Sequence, residues 1–387
     1  MEKDRAADGL RGMAAMAVFF GHFFLTFYPA GSSHFFSGAA APGATVGIAE
    51  KILALPFISA FLSGRFPVAI FFVLSGYVLT KGFVKDGDLN ILRSLFARRY
   101  FRLGIPVFGS VVFAYVLFLA GAYPVETTAS ITKSAWLITQ SIHGNPTVLD
   151  ALRDAIYGVV LVGSAQFNTV FWTMRIEFLG SIMIFSYMAL AWTDRRALFA
   201  VGIYLALIFV FAPVHWPYYA AFLVGRYIGN ARVTMPPWAS YGCIAFAMYL
   251  ASMDASPMFA YLYLIPIEPD LLGTICSVFA GGLVLLAVRA GALRYLLTCT
   301  PALYLGRISY PLYLVHVPIV MSLGCIIFNS LYESHGRSAA VASALVASLA
   351  ATFLVASVFE RFVDQPAIRF GKWMTQRKVP TMGLHEA

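Results

Sequence analysis

Residues 9–28, GLRGMAAMAVFFGHFFLTFY, decide how this chain is read. As one helix the run rises about 30 Å, the thickness of a bilayer's hydrocarbon core. A water-soluble helix of that length keeps a charged face, whereas the strongly polar side chains here are two, Arg11 and His22. A charged start followed by an apolar run also describes a cleaved signal peptide. This run is longer than a signal core, and it carries polar residues that a discarded segment would not need. It reads as the first of many membrane spans.

The same composition continues outward to the end of the chain. Of 387 residues, 60% are hydrophobic and 12% charged, against roughly half and roughly a quarter in soluble domains. Apolar runs bounded by Gly, Pro and charged residues fall at 9–29, 66–82, 102–122, 170–192, 197–213, 215–230, 238–253, 270–289, 302–328 and 339–359. The fold class is all-α: a polytopic transmembrane helical bundle of about ten spans. It forms one domain over 1–387, with a core at 8–370 and a basic tail at 371–387. Residues 51–63 are apolar enough for a re-entrant or interfacial piece, and no internal repeat suggests inverted halves.

Charge sets the expected orientation. With both termini cytoplasmic, most of the 27 basic residues fall on inner segments, among them Lys3, Lys85, Arg98, Arg195, Arg377 and Lys378. Lys51, Arg65, Lys133, Arg153 and Arg337 fall on outer ones, while Arg175 and Arg307 lie in or beside spans. This is the positive-inside pattern. It also explains the net charge of +9 without nucleic acid. Cys243, Cys276, Cys299 and Cys325 have neither disulfide nor zinc spacing, so no metal is expected. The expected location is a bacterial inner (plasma) membrane, with lipid as a constant partner. The long outer segment 123–169, weakly amphipathic near Val148–Val162, is placed to cover an outward-facing site.

Ionisable groups at membrane depth are costly and mark candidate sites. Arg11 and His22 are eleven residues apart, about 16 Å of rise and about 20° of rotation, so they share one stripe. A neutral imidazole can take a proton from a hydroxyl and return it to a leaving group, and a guanidinium fork suits phosphate oxygens. Arg99 and Arg102 could grip a polyphosphate together, although a topology-setting cluster would look the same. Thr173 and Glu177 share a face of the run FWTMRIEF, with Arg175 turned away. Ser309, Tyr313 and His316 share another stripe, for which a hydrogen-bonded packing seam competes equally. Glu360 and Asp364 are one turn apart near the end.

In combination these stretches resemble the acyltransferase-3 family of integral membrane O-acyltransferases. DGLRGMAAMAVFFGH (8–22) is similar to its opening arginine-to-histidine motif, FFVLSGY (71–77) follows, and RYFR (99–102) is similar to its Arg-x-x-Arg pair. FWTMRIEF (171–178) resembles the tryptophan-to-glutamate motif containing Trp172, ISYPLYLVH (308–316) the serine-tyrosine-to-histidine motif, and VDQP (363–366) the terminal Glu-Arg-Pro. The resemblance implies transfer of an acyl group, most often acetyl, from cytosolic acyl-CoA to hydroxyls of an extracytoplasmic glycan or similar acceptor. It casts His22 as the catalytic histidine, with Glu177 and His316 beside it. Arg11, Arg99 and Arg102 would hold the CoA phosphates, supported by Trp172, Ser309, Tyr310, Tyr313 and Asp364. Asp364 departs from the family's glutamate, and Arg175 and Phe178 from smaller or acidic residues. Some relatives carry a further soluble acyl-handling domain, which here would be a separate periplasmic or extracellular chain. Two rival readings are a proton-coupled glycan or lipid transporter and a non-catalytic membrane subunit.

Overall fold

The computed structural model describes residues 4–376 apart from 34–35, 37, 87, 192–193, 213, 254–258, 260 and 262–263. Lys3, Arg377, Lys378 and the rest of the expected tail past 376 lie outside the described residues, as do the side chains of Lys85 and Arg195. Among the described residues there is no β-strand. The longer helices are α1 (Arg5–Phe27), α2 (Arg65–Asp86), α3 (Leu89–Leu119), α4 (Trp172–Leu190), α5 (Asp194–Phe211), α6 (Trp216–Asn230), α7 (Pro237–Ala251), α8 (Pro269–Arg289), α9 (Thr300–Ile319), α10 (Cys325–Phe359) and α11 (Gln365–Gln376).

Every one of the ten apolar runs lies on a helix, yet fewer stretches have the length and apolarity of a span. Among the described residues six do: Arg5–Phe27, Arg65–Phe83, Leu89–Leu119, Thr169–Leu190, Pro269–Arg289 and Thr300–Thr375. The last holds two of the runs. They meet at Gly336, whose φ of 76° and ψ of 168° are not helical, a conformation that a side chain would strain. Helices α5, α6 and α7 have 18, 15 and 15 residues. Fifteen residues rise about 22 Å, short of the hydrocarbon thickness.

The central seam is α1 against α9, which run parallel: Gly12 meets Gly306 at one end and His22 meets His316 further along. The helices touch backbone to backbone. A Cβ on Gly12 would lie 2.5 Å from Gly306 N, and one on Gly306 would lie 2.3 Å from Asp8 O. Small residues at such a crossing are how helices associate in lipid, where no hydrophobic effect drives them together. Asp4 caps α1 through Ala7 N at 3.2 Å and accepts from Tyr77 Oη at 2.5 Å, tying α1 to α2.

Proline fixes the next neighbours. Pro318, inside α9, has no N–H to give Leu314 O four residues earlier. That carbonyl accepts instead from Ser110 Oγ at 2.6 Å on α3 and from Asn168 Nδ2 at 2.8 Å just before α4. Beyond it α9 continues into a π-turn, Val320–Gly324. The freed backbone group thus joins three elements instead of standing unsatisfied at membrane depth.

The stretch 51–63 forms two short helices, Ile48–Leu53 and Ile58–Leu62, exposing Ile52, Leu55 and Phe61. It is pinned by buried Glu50, 2.9 Å from Arg337, whose guanidinium also donates to Phe27 O at 2.8 Å. The segment 123–169 does two different things. Trp136 folds inward over α1, whereas Val148–Val162 lies along the flank of α3. There Tyr115 Oη donates to Pro146 O and Tyr100 Oη to Ile156 O. Those tyrosines are fifteen residues apart, about 22 Å along α3, so this half runs down the bundle and does not cap it.

Candidate active site

A cavity of about 340 Å³ opens among α1, α2, α3, α4, α9 and the α10–α11 junction. Arg11, Arg99, Arg102, Glu177, Ser309, Tyr310, Tyr313 and Asp364 all line it. Five separate sequence motifs, spread from residue 11 to residue 364, therefore converge on one space.

An arginine alone at membrane depth costs about 2.5–3.5 kcal/mol, and here three of them have resident carboxylates. Arg11 Nη1 lies 3.3 Å from Asp8 Oδ1, one turn back on α1. Arg99 pairs with Glu177 and donates from Nε to Ser181 Oγ at 2.8 Å, while Ser75 Oγ donates to Glu177 Oε1 at 2.7 Å. Arg102 pairs with Asp364 and lies over the Tyr310 ring, 5.3 Å from its centroid. Asp364 ends a π-turn, Glu360–Asp364, between α10 and α11. A guanidinium has five N–H groups, so each arginine keeps donors for phosphate oxygens beyond those its carboxylate occupies.

The cavity ends at Phe71, Thr173 and Tyr313. Thr173 Oγ1 lies 2.9 Å from Tyr313 Oη, and Phe71 meets the Tyr313 ring edge-on at 5.7 Å. His316 packs behind that ring, with centroids 5.9 Å apart and no exposed surface. His316 Nε2 is 2.8 Å from His22 Nδ1. Both histidines thus stand beyond the cavity's aromatic end instead of lining it, so the expected open path from Arg11 to His22 is interrupted by Tyr313.

Hydrogen bonding assigns the tautomers of the neutral pair. His316 Nδ1 faces Tyr313 O at 2.8 Å and Leu312 O at 3.1 Å, and carbonyls only accept, so this nitrogen carries the hydrogen. His316 Nε2 is then the acceptor and His22 Nδ1 the donor. His22 Nε2 is left with its lone pair. The ring is stacked on buried Trp136, with centroids 5.3 Å apart and planes at 25°, and it remains half-buried.

Trp172 is not brought to this site. Its ring stacks on His215 and meets Tyr218 at a tilt, each with centroids 5.5 Å away, and Tyr218 in turn packs on Phe72 of the cavity wall. Conversely, Ser75, Ser181 and Trp136 were not singled out from the sequence. Ser181 is one turn past Glu177 and so on its face, which was a usable signal. Ser75 is one hydroxyl in an apolar run, and Trp136 meets His22 only through the path of a loop.

A family model described as an acyltransferase domain matches residues 4–361. The O-acetyltransferase PaAT-1 of Phomopsis amygdali is 25% identical, over 97% of this chain and 85% of that protein. Acyltransferase clz18 of Cochliobolus lunatus is 23% identical, over 81% of each. No solved structure matches. Both relatives are fungal, and neither points to a bacterial inner membrane. The family and the apolar helices together make this a multi-pass integral membrane protein. With the match running from the cap of α1 to the end of α10, the chain belongs to the acyltransferase-3 family.

Proposed function

We propose that the protein is an O-acyltransferase that moves an acetyl group from cytosolic acetyl-CoA to a hydroxyl of a glycan or similar acceptor. The basic end of the bundle faces the cytosol, and the acceptor approaches from the Trp136 side. One observation carries the reading: along a single seam, phosphate-suited arginines gather where Gly12 meets Gly306, and ten residues further along both helices, about 15 Å, where His22 meets His316, stands an imidazole with a free lone pair.

In this reading Arg11, Arg99 and Arg102 hold the CoA phosphates and the pantetheine arm extends toward Tyr313. The Phe71–Tyr313 pair swings aside to admit the thioester. His22 Nε2 takes the proton from the acceptor hydroxyl as its oxygen attacks the thioester carbonyl. The C–S bond breaks, and the leaving thiolate receives that proton from His22, giving the ester and CoA thiol. His316 holds the His22 tautomer, and Glu177 positions Arg99.

The test is radiolabelled acetyl-CoA given to the purified protein in detergent with a panel of mono- and oligosaccharides. The reading expects acceptor-dependent CoA thiol release matched by label in an ester. Vesicles that move glycan across the bilayer with no CoA consumed would establish the transporter reading instead.

A further inference from the structure

We propose that Arg307 forms a separate anion subsite at the cavity mouth, taking the ribose 3′-phosphate of the CoA donor. That phosphate distinguishes CoA from dephospho-CoA. The inference rests on the acyl-CoA reading above and deepens it.

Four arginines line the cavity, and three have the carboxylate partners described. Among the described residues no carboxylate lies within ion-pair distance of Arg307. Its guanidinium rests on the Tyr304 ring, 5.5 Å from the centroid. That ring is itself anchored, its hydroxyl 2.6 Å from Ser357 Oγ on α10. The arginine is therefore held on a platform while its donors remain open among the described residues, and it is exposed where the other cavity arginines are half-buried.

Position on α9 gives the order of binding. Arg307, Tyr310 and Tyr313 follow at three-residue steps, each about 4.5 Å further along the axis. Tyr313 marks the closed end and Tyr310 lies under Arg102, so Arg307 is one step nearer the mouth than Arg102. With three carboxylates facing four arginines, the unneutralised positive charge of the lining sits at this rim. A phosphate monoester carries close to two negative charges at neutral pH, the group such a rim charge suits best. A lipid phosphate has related chemistry, and the experiment separates the two.

The measurement is the affinity of the purified full chain for acetyl-CoA against acetyl-dephospho-CoA, by competition with labelled acetyl-CoA. Wild type should prefer acetyl-CoA by about tenfold or more, the size of one charge-assisted hydrogen bond. Arg307→Ala should bring that ratio near one, and Arg307→Lys should keep part of it. Tyr304→Leu, which removes the platform and leaves the charge, should reduce it and serves as a second probe if Arg307→Ala does not fold. A ratio unchanged in both Arg307→Ala and Tyr304→Leu overturns the subsite. So does an Arg307-dependent stabilisation by anionic phospholipid with no change in the ratio, which would make this a lipid contact. If wild type binds neither thioester, the acyl-CoA reading itself falls; if it binds both equally, only the Arg307 assignment does.

Discussion

The two ends of the α1–α9 seam handle polarity in opposite ways. Where Gly12 meets Gly306, Arg11, Arg99 and Arg102 each pair with a carboxylate in the lining of one cavity. Ten residues on, where His22 meets His316, the polar atoms are imidazole nitrogens and backbone carbonyls, walled by Trp136, Phe19 and Tyr313. Long-range charge suits capture of an anionic donor. Proton transfer wants a base whose tautomer is fixed and which water does not compete for. The Phe71–Tyr313 pair stands between the two environments, and on the proposed function it lets one seam serve both needs.

That contrast can be broken first at the dry end. His316→Leu removes the acceptor that holds His22 Nδ1–H, and acetyl transfer should fall by about 10- to 100-fold, the range for losing a partner that orients a functional histidine. His316→Asn, which retains polar atoms near the same place, should recover part of the rate. A packing role alone would order them the other way, leucine above asparagine, so steady-state kcat for the two variants decides between them.

At the charged end the expected change is in binding. Arg102→Lys keeps the charge but loses the fork that serves Asp364 and a phosphate together, and KM for acetyl-CoA should rise about tenfold with a smaller change in kcat. Raising salt should widen the gap if the site works by charge. The smallest effect belongs to the boundary. Tyr313→Phe keeps the ring and deletes its hydrogen bond to Thr173, worth about 1 kcal/mol. A looser plug should raise acetyl-CoA hydrolysis in the absence of acceptor by a factor of about five at most, measured as thiol release.

How much of this was legible in the sequence depends on whether the geometry was local. The Arg11–His22 stripe and the Ser309–Tyr313–His316 stripe follow from helical spacing alone, and the structure puts both on one seam. Ten apolar runs likewise became helices. Trp172 shows where a motif does not by itself place a side chain: it is five residues from Glu177, about 140° around the helix, and its ring goes to His215 and Tyr218 instead. The Arg-x-x-Arg pair announced two cations but not that each takes its own carboxylate. Asp364 meets Arg102 from 262 residues away, at the end of a π-turn. The interruption at Tyr313 was invisible for the same reason, since its partners Phe71 and Thr173 come from other helices. Apolarity fixes solvent while helix length fixes crossing, and α6 and α7, already the short runs in the sequence, have the first without the second.

The most direct measurement compares wild type with His22→Ala in two readings on the same preparation: equilibrium binding of acetyl-CoA, and transfer of its acetyl group to an acceptor. The account predicts binding within about threefold of wild type, because the arginines are untouched, and transfer lowered by about 10²- to 10⁴-fold, the contribution of a positioned general base. His22→Ala protein that binds acetyl-CoA and transfers acetyl at the wild-type rate would contradict it.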